Sequence, residues 1–466
     1  MATDQDMKKQ HMSVVIGGHV DSGKSTTTGH LLFQLGGISA REVEKMKEEA
    51  HNIGKDSFHF AFFLDTQKQE RERGITIACT TKEFFTPNYH YTIIDAPGHI
   101  DFIKNFLTGS SQADVACLLV PADSFSVTLQ KANRDESTVE GQSRMHAQLF
   151  NLLGIKQLVV CVNKMDSIDY SQDKFNEIRD EIKHMLRTVG FNKKYIDESV
   201  PILPISGYIG ENLFKPSEKM PWFTGVDVKA LNDSTIHVHT LHDVLDLFVC
   251  PPKRDSTSAL RIPLSGIFNI KGKGTIITGR IEKGTVKPGD ELVFVPKHTQ
   301  ANPCTARVFS IEMHHRGVDS ATSGDNVGMC VKGLDDNNKP SNGDIAILKS
   351  DTTLKRCKSF TMTAQVMNHP GELALGYTPV GYVRTSHSAV KLTAIKSRMN
   401  AKETGGVKIT ENVPFVKSGD VVELEFTPTG NFVVEEYSKC EGLGRICLMD
   451  SNTVVMIGRI TSVVFA

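Results

Sequence analysis

Residues 17–26 read GGHVDSGKST, and no other stretch narrows the choice of fold so sharply. The apolar run MSVVI before it suits a strand, and TTTGHLLFQL after it suits a helix. Between them, Gly18 to Ser25 satisfies the spacing G-x-x-x-x-G-K-S in the strand–turn–helix setting that this pattern requires. Such a turn aims the backbone N–H groups of Gly18, His19, Val20, Asp21, Ser22 and Gly23 into one concavity, joined by those of Lys24, Ser25 and Thr26 at the head of the helix. The positive end of the helix dipole lies behind them. A di- or triphosphate is the natural occupant. Lys24 places a point charge on the β- and γ-phosphates, and the Ser25 hydroxyl can ligate magnesium. A glycine-rich loop that merely turns has no use for the lysine and the hydroxyls.

From Ser13 to about Phe248, short apolar runs (SVVIGG, YTIIDA, VACLLVPA, QLVVCVNK, PILPIS) alternate with helical stretches. Continuous apolar strands imply a mostly parallel sheet covered by helices on both faces. Residues 173–188 put Phe175, Ile178, Ile182 and Met185 on one helical face. Residues 240–248 do the same with Leu241, Val244, Leu245 and Phe248, until Pro251-Pro252 ends the pattern. Beyond Arg254 come short alternating strands with Gly-Lys and Pro-Gly turns, as in GIFNIKGKGTIITGRIEKGTVKPGDELVFVP, and a second all-β stretch starts near Lys358. The expected architecture is an α/β P-loop domain over 1–250, then two antiparallel β-barrel domains over 251–352 and 353–466.

Bulk properties exclude several classes. The net charge of -1 argues against a protein that coats nucleic acid nonspecifically, so a nucleic-acid partner must be met by a local patch. No apolar run approaches the ~20 residues that span a bilayer. The N-terminus, MATDQDMKKQHMS, is polar and carries acidic residues, unlike a signal or transit peptide, so a cytoplasmic protein with no membrane partner is expected. The 9 cysteines form no C-x-x-C pair and read as free thiols, and the 17 histidines show no zinc-binding spacing.

Asn163-Lys164-Met165-Asp166 closes the run QLVVCV and chooses the base. A carboxylate at Asp166 can accept both the N1–H and the exocyclic amine of guanine. Adenine offers neither donor there and would leave it unpaired, a costly mismatch in a buried site. Asn163 can tie this loop to the phosphate loop, and the Lys164 stem can cover the base. Ser206-Gly207-Tyr208 falls where a second base-contacting loop is expected. The strand end DAPGH supplies Asp95, placed to hold magnesium through water, Gly98, whose N–H can reach the γ-phosphate, and His99. In ERERGITI (70–77), the Thr76 hydroxyl can complete the magnesium shell, although a β-branched residue in a plain strand would look the same. The ligand is read as GTP, with GDP as product, and the first domain as a P-loop GTPase.

With GHVDSGKST, ERERGITI, DAPGH, NKMD and two barrels in one chain, the sequence resembles the translation elongation factor 1-alpha family, and more narrowly its divergent elongation-factor-like branch. The resemblance runs from about Ser13 to Ile460 and includes GYTPVGYVRT and GLGRICLMDSNTVVMIGRI in the third domain. It implies a monomeric GTPase that carries aminoacyl-tRNA to the ribosomal A site and is recharged by a guanine nucleotide exchange factor. On that resemblance His99 positions the attacking water, Val20 and Ile75 hold it aside beforehand, and Asp21 serves a monovalent cation near the phosphates. SIEMHH (310–315) and GDNVG (324–328) match the pocket for the aminoacylated 3′ end, with Glu312 near the terminal adenosine and Asn326 near the esterified amino acid.

The basic residues Lys391, Lys396, Arg398 and Lys402 could meet tRNA phosphates or equally guard a strand edge. Three features depart from the family pattern. Ile100 follows His99 in place of arginine, residues 122–140 form a lengthened polar loop, and SVVFA ends the chain without a lysine-rich tail, so actin or membrane association credited to that tail is not carried over. Competing readings are a GTPase subunit of a sulfate-activating enzyme, a termination or ribosome-rescue GTPase, and a cytoskeletal binder with structural GTP. Termination factors usually carry a long N-terminal extension, whereas here the first strand begins within about fifteen residues.

Overall fold

The computed structural model describes residues 9–466 except 53, 55, 66–69, 72–75, 77–78, 100–101, 111–112, 132–140, 273, 314–315, 336, 368, 370, 401–407, 412 and 452. The expectations attached to Ile75, Ile100, Lys402, the 314–315 histidines and the 132–140 part of the polar loop therefore lie outside the described residues. The chain divides into two compact units, Met1–Pro252 and Lys253–Ala466.

The first unit is built on a six-stranded sheet in the order β2-β3-β1-β4-β5-β6, where β1 is Gln10–Gly18, β2 Thr80–Phe85, β3 Tyr89–Asp95, β4 Val115–Pro121, β5 Gln157–Asn163 and β6 Ile202–Pro204. The five apolar runs become β1, β3, β4, β5 and β6, all parallel. Every residue of β4 and β5 is buried, as continuous apolar strands demand. β2 is the addition: TTKEFF alternates weakly and pairs antiparallel with β3 at the sheet edge. Placing β1 beside both β3 and β4 reverses the strand order there, and ligands of open α/β sheets bind at the carboxyl ends of such strands.

The helix Gln172–Thr188 buries Phe175, Ile178, Ile182, Met185 and Leu186, and Ser171 caps it by accepting from the Lys174 N–H. Burying one such side chain contributes about 1.5–3 kcal/mol. The expected helix over 240–248 begins with a capping box between Thr240 and Asp243, but from Val244 to Phe248 it widens into a π-type turn. There the Leu245 carbonyl accepts the Tyr91 hydroxyl and the Asp246 carboxylate accepts from the Asn88 backbone at 2.9 Å, so contacts to the sheet edge replace regular helix bonds.

The second unit holds two closed antiparallel barrels. In the first, Glu291–Val295, Ile345–Leu348, Ile262–Ile270, Gly274–Arg280, Asn326–Lys332 and Thr305–Met313 pair in sequence, and the first and last pair with each other. In the second, Val380–Val383, Arg445–Asp450, Thr453–Phe465, Cys357–Val366, Val421–Pro428 and Ser386–Asn400 close in the same way. Arg261 links the barrels: it is 2% exposed, donates to Asp351 at 2.6 Å beside its own barrel, and pairs with Glu435 of the other barrel at 3.1 Å. All nine cysteines are free thiols. Among the described residues, no helix is long and apolar enough to cross a membrane.

Candidate active site

β1 ends at Gly18, and the helix Lys24–Gln34 (α1) starts six residues later. Gly18 has φ 145°, and a Cβ there would come within 2.4 Å of the Leu119 carbonyl oxygen. Asp21, at φ 60°, sits in the left-handed region that Asp tolerates better than most side chains. The edge of the loop is fixed by one turn of the helix Gln142–Leu153. Gln142 accepts from the Val20 N–H (3.0 Å), Ser143 from His19 (3.2 Å) and His146 Nδ1 from Gly18 (2.9 Å), so these three N–H groups, expected to face a phosphate, are instead bonded to this helix. Lys24 lies inside the loop and donates to the carbonyls of Gly18 (3.2 Å) and His19 (2.8 Å). Burial lowers its pKa to about 8, partly offset by Asp95, Asp21 and Asp65. A phosphate arriving there would find a cation held in place and poorly hydrated, hence strongly attractive.

The base loops meet the phosphate loop through Asn163. Its amide donates to the Ser22 carbonyl (2.7 Å) and its oxygen accepts from the Gly207 N–H (2.8 Å), joining both loops through one 2% exposed side chain. Ser206 Oγ donates to Asp166 Oδ1, which fixes the carboxylate plane and leaves its other oxygen for a ligand. Lys164, at φ 63°, pairs with Asp123 at 3.0 Å, and Tyr208 is 47% exposed at the rim.

Oxygen ligands gather at the other end. Ser25 Oγ donates to Asp95 Oδ2 at 2.6 Å and lies 3.2 Å from Thr76 Oγ1, which donates to Asp65 Oδ1 at 3.1 Å. Asp95 Oδ1 is buried and has no hydrogen-bond partner. Burial, reinforced by the neighbouring carboxylate, pushes Asp65 up to about 7, and burial pushes Asp95 up to about 6. Two crowded carboxylates, an orphaned oxygen and two hydroxyls form an all-oxygen set that fits a small hard cation such as magnesium. Thr76 thus lies outside any strand and lines the same cavity as Ser25 and Asp65. Asp65 was not legible in the sequence as part of this oxygen cluster: it lies in no motif and follows the short helical turns Asp56–Phe58 and Ala61–Phe63.

Gly98 and His99 face the same cavity as Lys24, Ser25 and Val20. A Cβ on Gly98 would stand 2.5 Å from Lys24 Nζ and 3.0 Å from the Val20 nitrogen, so only glycine lets this strand end approach so closely. The His99 ring lies 5.9 Å from that of Phe102.

In the first barrel, Glu312 stands opposite Gly328, and Asn326 is two residues from Gly328 on the same strand, so Glu312 and Asn326 are diagonal neighbours on one face. The same face carries the row Phe268, Ile276, Cys330 across three adjacent strands, with Phe268 54% and Ile270 45% exposed. The alternation of these strands marked a barrel without revealing that its outer face here is apolar. In the second barrel, Lys396 already faces Glu425 (3.3 Å) on the neighbouring strand, and Arg398 faces Asp420 (3.8 Å) just before that strand begins.

Residues 9–250 match the family model of the elongation factor Tu GTP binding domain, which is more than half of the chain. The chain belongs to the elongation factor Tu and elongation factor 1-alpha family. Residues 274–347 match elongation factor Tu domain 2, and 359–461 match the GTP-eEF1A C-terminal domain-like family. Elongation factor 1-alpha of Onchocerca volvulus is 41% identical over 460 residues, covering 98% of this chain and 94% of the relative. Elongation factor 1-alpha-A of Schizosaccharomyces pombe is 41% identical, covering 98% and 95%. The fold is shared with the GTP-bound Ski7 GTPase-like domain of S. cerevisiae, at TM-score 0.74 and 20% identity over 99% of this chain and 100% of that one. This family member is a translation GTPase that binds guanine nucleotide.

Proposed function

We propose that this translation GTPase delivers aminoacyl-tRNA to the ribosomal A site and hydrolyses GTP when the codon is recognised. The observation that carries the reading is the shared face of Glu312 and Asn326 beside exposed Phe268 and Ile270 and half-buried Ile276. An apolar surface suits a stacked base, and a carboxylate and an amide suit the hydroxyl and amine groups of an aminoacylated adenosine. A pocket that accepts every amino acid contacts the shared amine and ester, for which Asn326 has a donor and an acceptor.

In the first domain (1–250), Lys24 and the N–H groups of Asp21 and of Gly23 to Thr26 hold the phosphates, while Asn163, Lys164, Asp166 and Ser206–Tyr208 hold guanine. Ser25, Thr76 and Asp95, with Asp65 beside them, would hold magnesium, which when bound neutralises charge on the phosphate oxygens. Gly98 directs its N–H at the γ-phosphate, and His99 orients the attacking water once the ribosome completes the site. Hydrolysis needs the phosphoryl group and water in line, so positioning by an outside partner is an effective switch. The barrel over 251–352 takes the 3′ end, and that over 353–466 contacts the tRNA and an exchange factor, with the protein acting as a cytoplasmic monomer. In a reconstituted system, GTP turnover should rise by several orders of magnitude only when ribosomes carry a codon matching the charged tRNA. Equal turnover with an empty A site and no tRNA would contradict delivery.

A further inference from the structure

We infer that His30 is a positioning residue which ties the guanine-binding loop to the segment that carries Asp65. The inference rests on reading Ser206–Tyr208 as a base-contacting loop. His30 lies on α1, five residues beyond Ser25, and is 8% exposed. Its Nδ1 is 2.9 Å from the Gly207 carbonyl oxygen, which can only accept, so Nδ1 carries the proton. Gln34 Nε2 stands 3.4 Å from the other ring nitrogen. Burial keeps the ring neutral by lowering its pKa. The face of the same ring lies on Phe60, centroids 4.2 Å apart and planes 11° from parallel.

The slot around this ring is shaped by absent side chains. A Cβ on Gly210 would stand 2.7 Å from His30 Cε1, and one on Gly29 would stand 2.1 Å from the Phe60 carbonyl oxygen. The loop and the segment are therefore both pressed onto α1 around Gly29 and His30, and His30 is the side chain that touches both. Gly207 is held from two sides, its N–H by Asn163 and its carbonyl by His30. Phe60 directly precedes the turn Ala61–Phe63, which leads to Asp65 at the oxygen cluster. One imidazole thus touches what holds the base with its edge and what leads to the cation with its face.

The two contacts can be separated in the full chain. His30→Phe keeps a ring against Phe60 and removes the donor to Gly207. His30→Asn keeps a donor at the reach of Nδ1 and removes the ring. Dissociation of fluorescent GDP, followed over a magnesium titration, reads both ends. His30→Phe should speed dissociation about tenfold at every magnesium concentration, the effect of losing one buried hydrogen bond, and should raise KM for GTP with kcat unchanged. His30→Asn should keep dissociation within about twofold of the parent at saturating magnesium but need about threefold more magnesium to reach it. Phe60→Leu should behave like His30→Asn, which keeps the test decisive if one histidine variant fails to fold. Equal shifts of both readouts in both histidine variants, or no shift in either, would overturn the inference. Failure of the parent chain to retain GDP would overturn the reading of the loop itself, and the inference with it.

Discussion

The hydroxyl of Thr76 stands 3.2 Å from that of Ser25, although 51 residues separate them in the chain. Ser25 lies in the first turn of α1, directly after the phosphate loop, whereas Thr76 belongs to a separate segment, so the pair forms a clasp between two distant parts of the chain. Thr76→Ala should weaken retention of magnesium and GTP by about tenfold, the scale of one lost polar contact, and leave GDP affinity nearly unchanged. Parallel dissociation measurements with GTP and GDP check this. Equal losses for both nucleotides would mean that Thr76 does not distinguish them.

The carboxylates beside that clasp set a pH dependence. In the free protein Asp65 is pushed up to about 7 and Asp95 to about 6, so each holds a proton at lower pH that a cation must displace. Magnesium affinity should be highest above pH 7, fall as pH drops through 7, and fall more steeply below 6, by at most about tenfold per pH unit per carboxylate. Titrations from pH 5 to 8 with GDP present read the effect, and Asp65→Asn should remove the upper part of the fall.

Asp166 presents one oxygen to Ser206 and keeps the other for the base. Asp166→Asn should cost about 2–3 kcal/mol of GTP affinity and shift preference toward xanthine nucleotides, whose ring places an acceptor where guanine has its amine. Competition between GTP and XTP measures the shift, and unchanged GTP affinity would remove the base assignment.

What could be read directly in the sequence was local. GHVDSGKS, NKMD and five apolar strands each carry their meaning within a few residues, and the structure places the two motifs at the carboxyl ends of β1 and β5, with β4 between them. Asp65 was hidden because nothing nearby in sequence gives a lone aspartate a purpose, and only the fold brings it to Thr76. His30 read as one polar residue on a helix, its partners Gly207 and Phe60 lying 177 and 30 positions away. The outward face of Phe268 and Ile276 was obscured by the strand pattern itself, because period-2 alternation does not say which face meets solvent when both carry apolar residues. β2 was missed since an edge strand needs little apolar content.

His99 lines the cavity with Lys24 and Val20 yet belongs to neither the base loops nor the oxygen cluster. His99→Ala should leave GTP and GDP affinities within about twofold and reduce ribosome-stimulated turnover by about 10²–10⁴, the range of one positioned proton-handling group. Nucleotide binding and single-turnover hydrolysis on programmed ribosomes give the two numbers. Normal stimulated turnover would demote His99 to a bystander.

The most direct measurement is protection of the ester bond of charged tRNA against spontaneous hydrolysis, with the chain loaded with GTP or with GDP. Strong protection with GTP and little with GDP is the result expected if the 3′ end is gripped at Glu312 and Asn326 only while the Ser25–Thr76 clasp is closed. Equal protection by both nucleotides, or none by either, would contradict delivery.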